Sequence, residues 1–154
     1  MKRYEELVLD ASSRVKELWP WDLRDLISSG RPILLLDVRE PYEFSRLRIP
    51  GSVNVPRGVL EQACEWDYDE TVPLLALRTD LDIVVICRSG KRSVLAADRM
   101  REMGFDRVAS LKTGLRGWND FEQAVENAEG QLVDPDEAEL ILAPSPRGDQ
   151  RRPA

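Results

Sequence analysis

No histidine occurs anywhere in the 154-residue chain, and cysteine occurs only twice, as Cys64 and Cys87. The first absence removes every nucleophile scheme that uses imidazole as general base, so a reactive side chain here must be activated by its electrostatic setting. The two cysteines lie far apart and make no metal-ligand spacing, so no zinc or other metal site is expected, and no cofactor is called for. Long apolar runs are missing as well. None approaches the roughly 20 residues needed to span a bilayer. Glu5, Glu6 and Asp10 interrupt the apolar region that should follow Lys2 and Arg3 in a signal peptide. The expected setting is cytoplasmic, without a membrane partner.

Positive charge is also in deficit, with 22 Lys and Arg against 28 Asp and Glu and a net charge of -6, which argues against nucleic acid as a partner. The deficit is local. No Lys or Arg falls between Arg116 and Arg147, where Glu122, Glu126, Glu129, Asp134, Asp136, Glu137 and Glu139 are found. Around Cys87 the sign reverses, with Arg88, Lys91 and Arg92. That suits a small anionic substrate.

What is present suits one domain with a substantial core. Apolar stretches at Pro32–Val38, Gly51–Val55, Leu81–Ile86 and Arg107–Leu111 alternate with helical patterns at Trp21–Ser29 and Arg92–Glu102. The alternation predicts an α/β fold, a central parallel sheet with helices on both faces, in which ligands gather at the C-terminal ends of the strands. Tyr4, Leu7, Val8, Ala11 and Val15 carry the spacing of an amphipathic helix, read as a covering helix over residues 1–14. The main domain is expected over 15–125. An acidic extension over 126–143 follows, with a short helix capped by Asp134 and running through Leu142, and then a disordered tail over 144–154.

The most informative segment is Cys87-Arg88-Ser89-Gly90-Lys91-Arg92-Ser93. It follows a buried strand and leads into a helix. Successive backbone N–H groups, three cationic side chains and a helix N-terminus there all favour the thiolate over the thiol, which makes Cys87 a nucleophile. Gly90 permits a positive backbone angle in the tight loop, with a plain turn glycine as its alternative reading. Ser89 and Ser93 are placed to donate hydrogen bonds, Ser93 with helix capping as its alternative role. Cys64, in the polar and acidic stretch Gln62-Ala63-Cys64-Glu65-Trp66-Asp67-Tyr68, has no such support and reads as a structural bystander. Its alternative role is a resolving thiol for Cys87, which requires Cα atoms within about 7 Å.

Over roughly residues 15 to 125 the chain resembles the rhodanese family of sulfurtransferases. The resemblance rests on Leu36-Asp37-Val38-Arg39-Glu40-Pro41-Tyr42-Glu43-Phe44, on Ile49-Pro50-Gly51-Ser52-Val53-Asn54-Val55-Pro56 and on the Cys87 to Ser93 loop, with weaker support from Gly104-Phe105 and Leu111 to Trp118. It implies a single rhodanese-like domain in which Cys87 takes a sulfane sulfur as a persulfide, while Arg88, Ser89, Gly90, Lys91, Arg92 and Ser93 bind a small anionic sulfur donor. Arg88 directly after the cysteine resembles thiosulfate users. The acceptor would be a thiol, cyanide in a test tube, or a sulfur-relay protein. Asp37 and Arg39 are expected to form an ion pair that supports the loop. Two positions depart from the family pattern: Arg48 stands where many relatives carry histidine, and Thr113 where a glycine pair usually begins.

Two other functions fit this outline. Cysteine-dependent phosphatases of related fold place an arginine after five intervening residues, whereas Arg92 comes after four and Ser93 fills the arginine position. A rhodanese-fold binding module, or a sulfur carrier without turnover, is the other.

Overall fold

Five short strands form the frame: β1 (Lys16–Leu18), β2 (Leu34–Asp37), β3 (Val53–Asn54), β4 (Ile83–Ile86) and β5 (Val108–Leu111). In the computed structural model, which describes residues 1–154, they build one parallel sheet in the order β1-β5-β4-β2-β3. Between and around them lie α1 (Tyr4–Ser12), α2 (Pro20–Ser28), α3 (Pro41–Arg46), α4 (Leu60–Ala63), α5 (Lys91–Glu102), α6 (Gly114–Asp120) and α7 (Pro135–Leu142). No helix is long and apolar enough to cross a membrane.

The continuous apolar character of β4 follows from its position, since a central parallel strand is buried on both faces. Alternate residues divide between two cores. Ile83, Val85 and Cys87 pack with Leu60 and Ala63 of α4 and with Ala96, Ala97 and Met100 of α5. Val84 and Ile86 face Leu23 of α2, Leu115 and Trp118 of α6, and Ala138 and Leu142 of α7. Helices therefore cover both faces, as the alternation of elements predicts.

The acidic extension belongs to this second core. Glu126 exchanges backbone hydrogen bonds with Arg48 at 3.0 and 2.8 Å, and Asn119 Nδ2 donates to the Pro135 carbonyl at 2.9 Å. Asp134 caps α7, its Oδ2 accepting from the N–H groups of Asp136 and Glu137. Arg48 stacks its guanidinium 4.9 Å from the centre of the Phe44 ring and reaches Glu126 at 3.5 Å. At this departure from the family pattern, arginine ties the extension to the domain.

Several expectations need correction. The helix expected over residues 1–14 ends at Ser12, and Val15, the last position of its spacing, instead leads into β1, which the pattern does not reveal. Lys16-Glu17-Leu18 holds one apolar residue because β1 is an edge strand with a single neighbour, β5. On α1, Tyr4 and Leu7 remain exposed, and only Ala11 is buried where the helix lies on α5. The strand expected over Gly51–Val55 shrinks to Val53–Asn54. In the tail, Gly148–Gln150 forms a 3-10 turn, with every residue exposed.

Candidate active site

Cys87 stands one residue beyond β4, at the C-terminal edge of the sheet, with none of its surface exposed. Its Sγ accepts from the backbone N–H groups of Gly90 at 3.1 Å and Ser93 at 3.3 Å. Ser93 Oγ lies 3.3 Å from the sulfur and accepts in turn from Ser110 Oγ at 2.8 Å. With Ser110 donating to it, the Ser93 hydroxyl can turn its own hydrogen towards a negative sulfur. All three residues are buried, where such hydrogen bonds are strongest. The full ring of amides expected from Arg88 to Ser93 reduces to these two N–H groups and one hydroxyl.

The loop holds this shape because it is locked against the turn between β5 and α6. Gly90 has φ of 89°, and a Cβ there would meet the Thr113 nitrogen at 2.9 Å and the Leu111 carbonyl oxygen at 3.1 Å. Gly114, with φ of 61°, would place a Cβ 2.6 Å from the Cys87 carbonyl oxygen and from the Arg88 carbonyl group. Into this close approach Leu115 N–H donates to the Cys87 carbonyl at 2.8 Å, and Arg116 N–H to the Arg88 carbonyl at 3.0 Å. Thr113 adopts φ of 66°. The turn survives at the second family departure with a β-branched residue in the left-handed region, at a cost of about 1–3 kcal/mol.

The three cations differ in their commitments. Arg92 forms a two-pronged pair with Glu43, at 2.8 and 2.9 Å, and Lys91 pairs with Glu5 of α1. Arg88 has no ion-pair partner and is half-buried. Burial acts to raise the Glu43 carboxyl, but the Arg92 pair and the Glu40 N–H outweigh it and hold the group below its ordinary range. Tyr4 also reaches this rim. Lys91 Nζ sits 5.9 Å from its ring centre, and burial together with the Cys87 charge pushes its hydroxyl up. Carboxylates from distant segments thus cancel much of the positive charge expected around the thiol.

Ser89 is exposed, and Ser93 sits in the first turn of α5 with its hydroxyl towards the sulfur. Asp37 and Arg39 form a buried pair: Arg39 Nη2 reaches Asp37 Oδ2 at 2.8 Å and Nε reaches Oδ1 at 3.0 Å, while Nη2 also donates to the Leu47 carbonyl. Asn54 Nδ2 donates to the carbonyls of both residues, and Val38 N–H donates to Ile86 at 3.0 Å, linking this corner to the end of β4. Sequence reasoning passes over Glu43, Glu5, Tyr4 and Ser110. Of these only Ser110, a lone hydroxyl inside an apolar strand, carries a local signal.

Cys64 is equally buried and packs in the same core as Cys87. Burial first, then the charges of Glu61 and Glu65, push its thiol up to about 11. Both cysteines are free.

Comparison with known proteins places this geometry. “Putative sulfur carrier protein YrkF” of Bacillus subtilis (strain 168) is 31% identical over 107 residues, covering 70% of this chain and 52% of that protein, so the chain spans about half of its relative's length. “Sulfurtransferase” of Allochromatium vinosum is 27% identical over 104 residues, covering 68% of this chain and 88% of that protein. Among solved structures, the Rhodopseudomonas palustris CGA009 “Protein of Unknown Function RPA3614, Possible Tyrosine Phosphatase” superposes with a TM-score of 0.74 at 29% identity, over 82% of this chain and 96% of that one. The family profile described as “Rhodanese-like domain” matches residues 20–121, from the start of α2 to the end of α6. On the parallel sheet, the cysteine loop at its C-terminal edge and that match, the chain belongs to the rhodanese-like domain family.

Proposed function

We propose that the protein is a sulfurtransferase that moves a sulfane sulfur through a Cys87 persulfide. The observation that carries this reading is the Cys87 sulfur itself, held by the Gly90 and Ser93 amides with the Ser110–Ser93 hydroxyl pair behind it. Donors fixed around a buried sulfur stabilise negative charge there without reorganising during reaction. The Cys87 thiolate attacks the outer sulfur of thiosulfate. A sulfur–sulfur bond forms on Cys87, the donor's sulfur–sulfur bond breaks, and sulfite leaves with the electron pair. An acceptor then attacks the outer sulfur of the persulfide and returns Cys87 as thiolate. With cyanide the product is thiocyanate, and with a thiol it is a new persulfide. The kinetics are ping-pong.

Arg88 is the cation free to meet the anionic donor. Lys91 and Arg92 shape the rim through their carboxylate partners, and the Asp37–Arg39 pair supports the loop from β2. Because Cys87 is fully covered, a donor reaches it only when the rim of the loop moves aside. That cover, and the two cancelled cations, favour a second reading, a sulfur carrier loaded by a specific relay protein. The name of YrkF fits it. A phosphatase reading lacks its guanidinium, since Ser93 occupies that place in the loop and Arg92 is bound to Glu43.

Intact-mass measurement after incubation with thiosulfate tests the reading. Wild type gains one sulfur atom and Cys87→Ser gains none; an unmodified wild type, or an equal gain on both, overturns it. Thiosulfate–cyanide turnover then separates enzyme from carrier, since a carrier accepts sulfur from the right partner yet turns over poorly with small molecules.

A further inference from the structure

Beside the loop lies a cavity of about 330 Å³ whose far wall is built by the C-terminal extension. On the near side stand Arg88, directly after the nucleophile, with Tyr42 and Arg46 of α3. Across from them are Leu140, Ile141 and Leu142 of α7, followed by Ala143 and Ser145. The extension falls outside the span that matches the family profile, so the general resemblance assigns this wall no role.

Its chemistry is specific. Arg39 and Glu43 also border it, but the first is committed to Asp37 and the second to Arg92. Arg88 and Arg46 have no carboxylate partner, so two positive charges face the cavity uncompensated. The acids of the extension are absent from the lining, which takes only apolar residues and one serine from that side. Leu140 is 80% exposed, although it sits on a helix that buries Ala138 and Leu142 completely or nearly so. An exposed leucine facing two unpaired arginines suits a ligand that is apolar in part and anionic at two points.

Size points the same way. The volume lies in the range of pockets for small organic ligands, about 300–1,000 Å³, and equals roughly ten water volumes at about 30 Å³ each. A five-atom inorganic donor leaves most of it empty. We propose that this cavity binds the organic body of the sulfur acceptor, a low-molecular-weight thiol bearing carboxylates, with Arg46 and Arg88 on the carboxylates and Leu140 and Ile141 against its chain. The inference rests on the persulfide reading above and names its acceptor class. In the step it serves, the bound thiolate attacks the outer sulfur of the Cys87 persulfide. The new sulfur–sulfur bond forms on the acceptor, the Cys87 bond breaks, and its electron pair stays on Cys87.

Binding and turnover test it separately. S-methylglutathione, a capped thiol with two carboxylates, is titrated into Cys87→Ala protein by calorimetry or NMR, where no sulfur chemistry takes place. The expected result is saturable binding that weakens at least fivefold in Arg46→Ala and Leu140→Asp backgrounds, and that S-methylcysteamine, without carboxylates, does not reproduce. Both altered side chains are exposed, so the fold tolerates the changes. In turnover, the ratio of kcat/KM for glutathione to that for cyanide falls at least fivefold in the same variants. No binding, binding indifferent to Arg46 and Leu140, or an unchanged ratio overturns the proposal. Failure of the parent reading looks different: wild type then gains no sulfur from thiosulfate, whatever S-methylglutathione does.

Discussion

Cys64 and Cys87 share a core, are both fully buried, and differ in what stands next to the sulfur. Cys64 ends the short α4 with acidic neighbours and apolar packing, and its thiol is pushed up to about 11. Cys87 has two backbone donors and a hydroxyl on its sulfur. Burial alone therefore does not decide the behaviour of a thiol. The same low-dielectric surroundings that suppress an unsupported sulfur anion strengthen the donors aimed at a supported one.

The largest test of this contrast removes one sulfur at a time. Cys87→Ser abolishes sulfur transfer, whereas Cys64→Ala keeps at least half of the rate and loses about 1–2 kcal/mol of stability through its small cavity. At pH 8 only about one Cys64 thiol in a thousand is ionised, given its position near 11. Iodoacetamide followed by peptide mapping accordingly labels Cys87 and spares Cys64; equal labelling breaks the comparison.

Next in size is the brace behind the loop. Gly114→Ala forces a methyl against the carbonyls of Cys87 and Arg88 and costs roughly 2–4 kcal/mol in denaturant melts. Its transfer rate falls more than tenfold, since Sγ loses the register of its two amides, while Cys64 stays unreactive. Smaller again is Ser93→Ala, which removes one hydrogen bond worth about 0.5–1.5 kcal/mol and slows transfer about three- to tenfold. It leaves the Gly90 and Ser93 amides in place.

The smallest effect is at the rim. The Glu43 carboxyl is held below its ordinary range, so its pair with Arg92 stabilises the fold above about pH 4.3, the unfolded value, and that contribution disappears as pH falls through the lower folded value. In Glu43→Gln the contribution is absent at every pH. The two proteins differ by less than about 1 kcal/mol at pH 7, because the pair is partly solvent-screened, and they converge in acid. Chemical denaturation across that range measures it. With Arg92 released, Cys87 alkylates faster at low salt and Cys64 does not change.

The parts legible in the sequence are those whose physics is local. A strand buried on both sides reads as an apolar run, Gly90 marks a left-handed loop, and Asp134-Pro135 announces the start of α7. Rim charge is not local. Arg92 finds Glu43 across 49 residues and Lys91 finds Glu5 across 86, so a cluster of three cations in the sequence becomes one unpaired arginine in space. β1 was hidden for a related reason: an edge strand with one partner needs little apolar signal of its own. The extension reads as acidic rather than as part of a core because its buried residues, Ala138 and Leu142, are few and spaced by four.

The interlock of Gly90 with Gly114 reaches beyond the conformation of either residue. A segment more than twenty positions downstream sets how many residues fit between the nucleophile and its helix, so the loop cannot be lengthened alone. Any lineage, or any engineer, adding the one residue that would admit a bulkier oxyanion must remodel both pieces together, and anion size in this scaffold is inherited as a two-part trait.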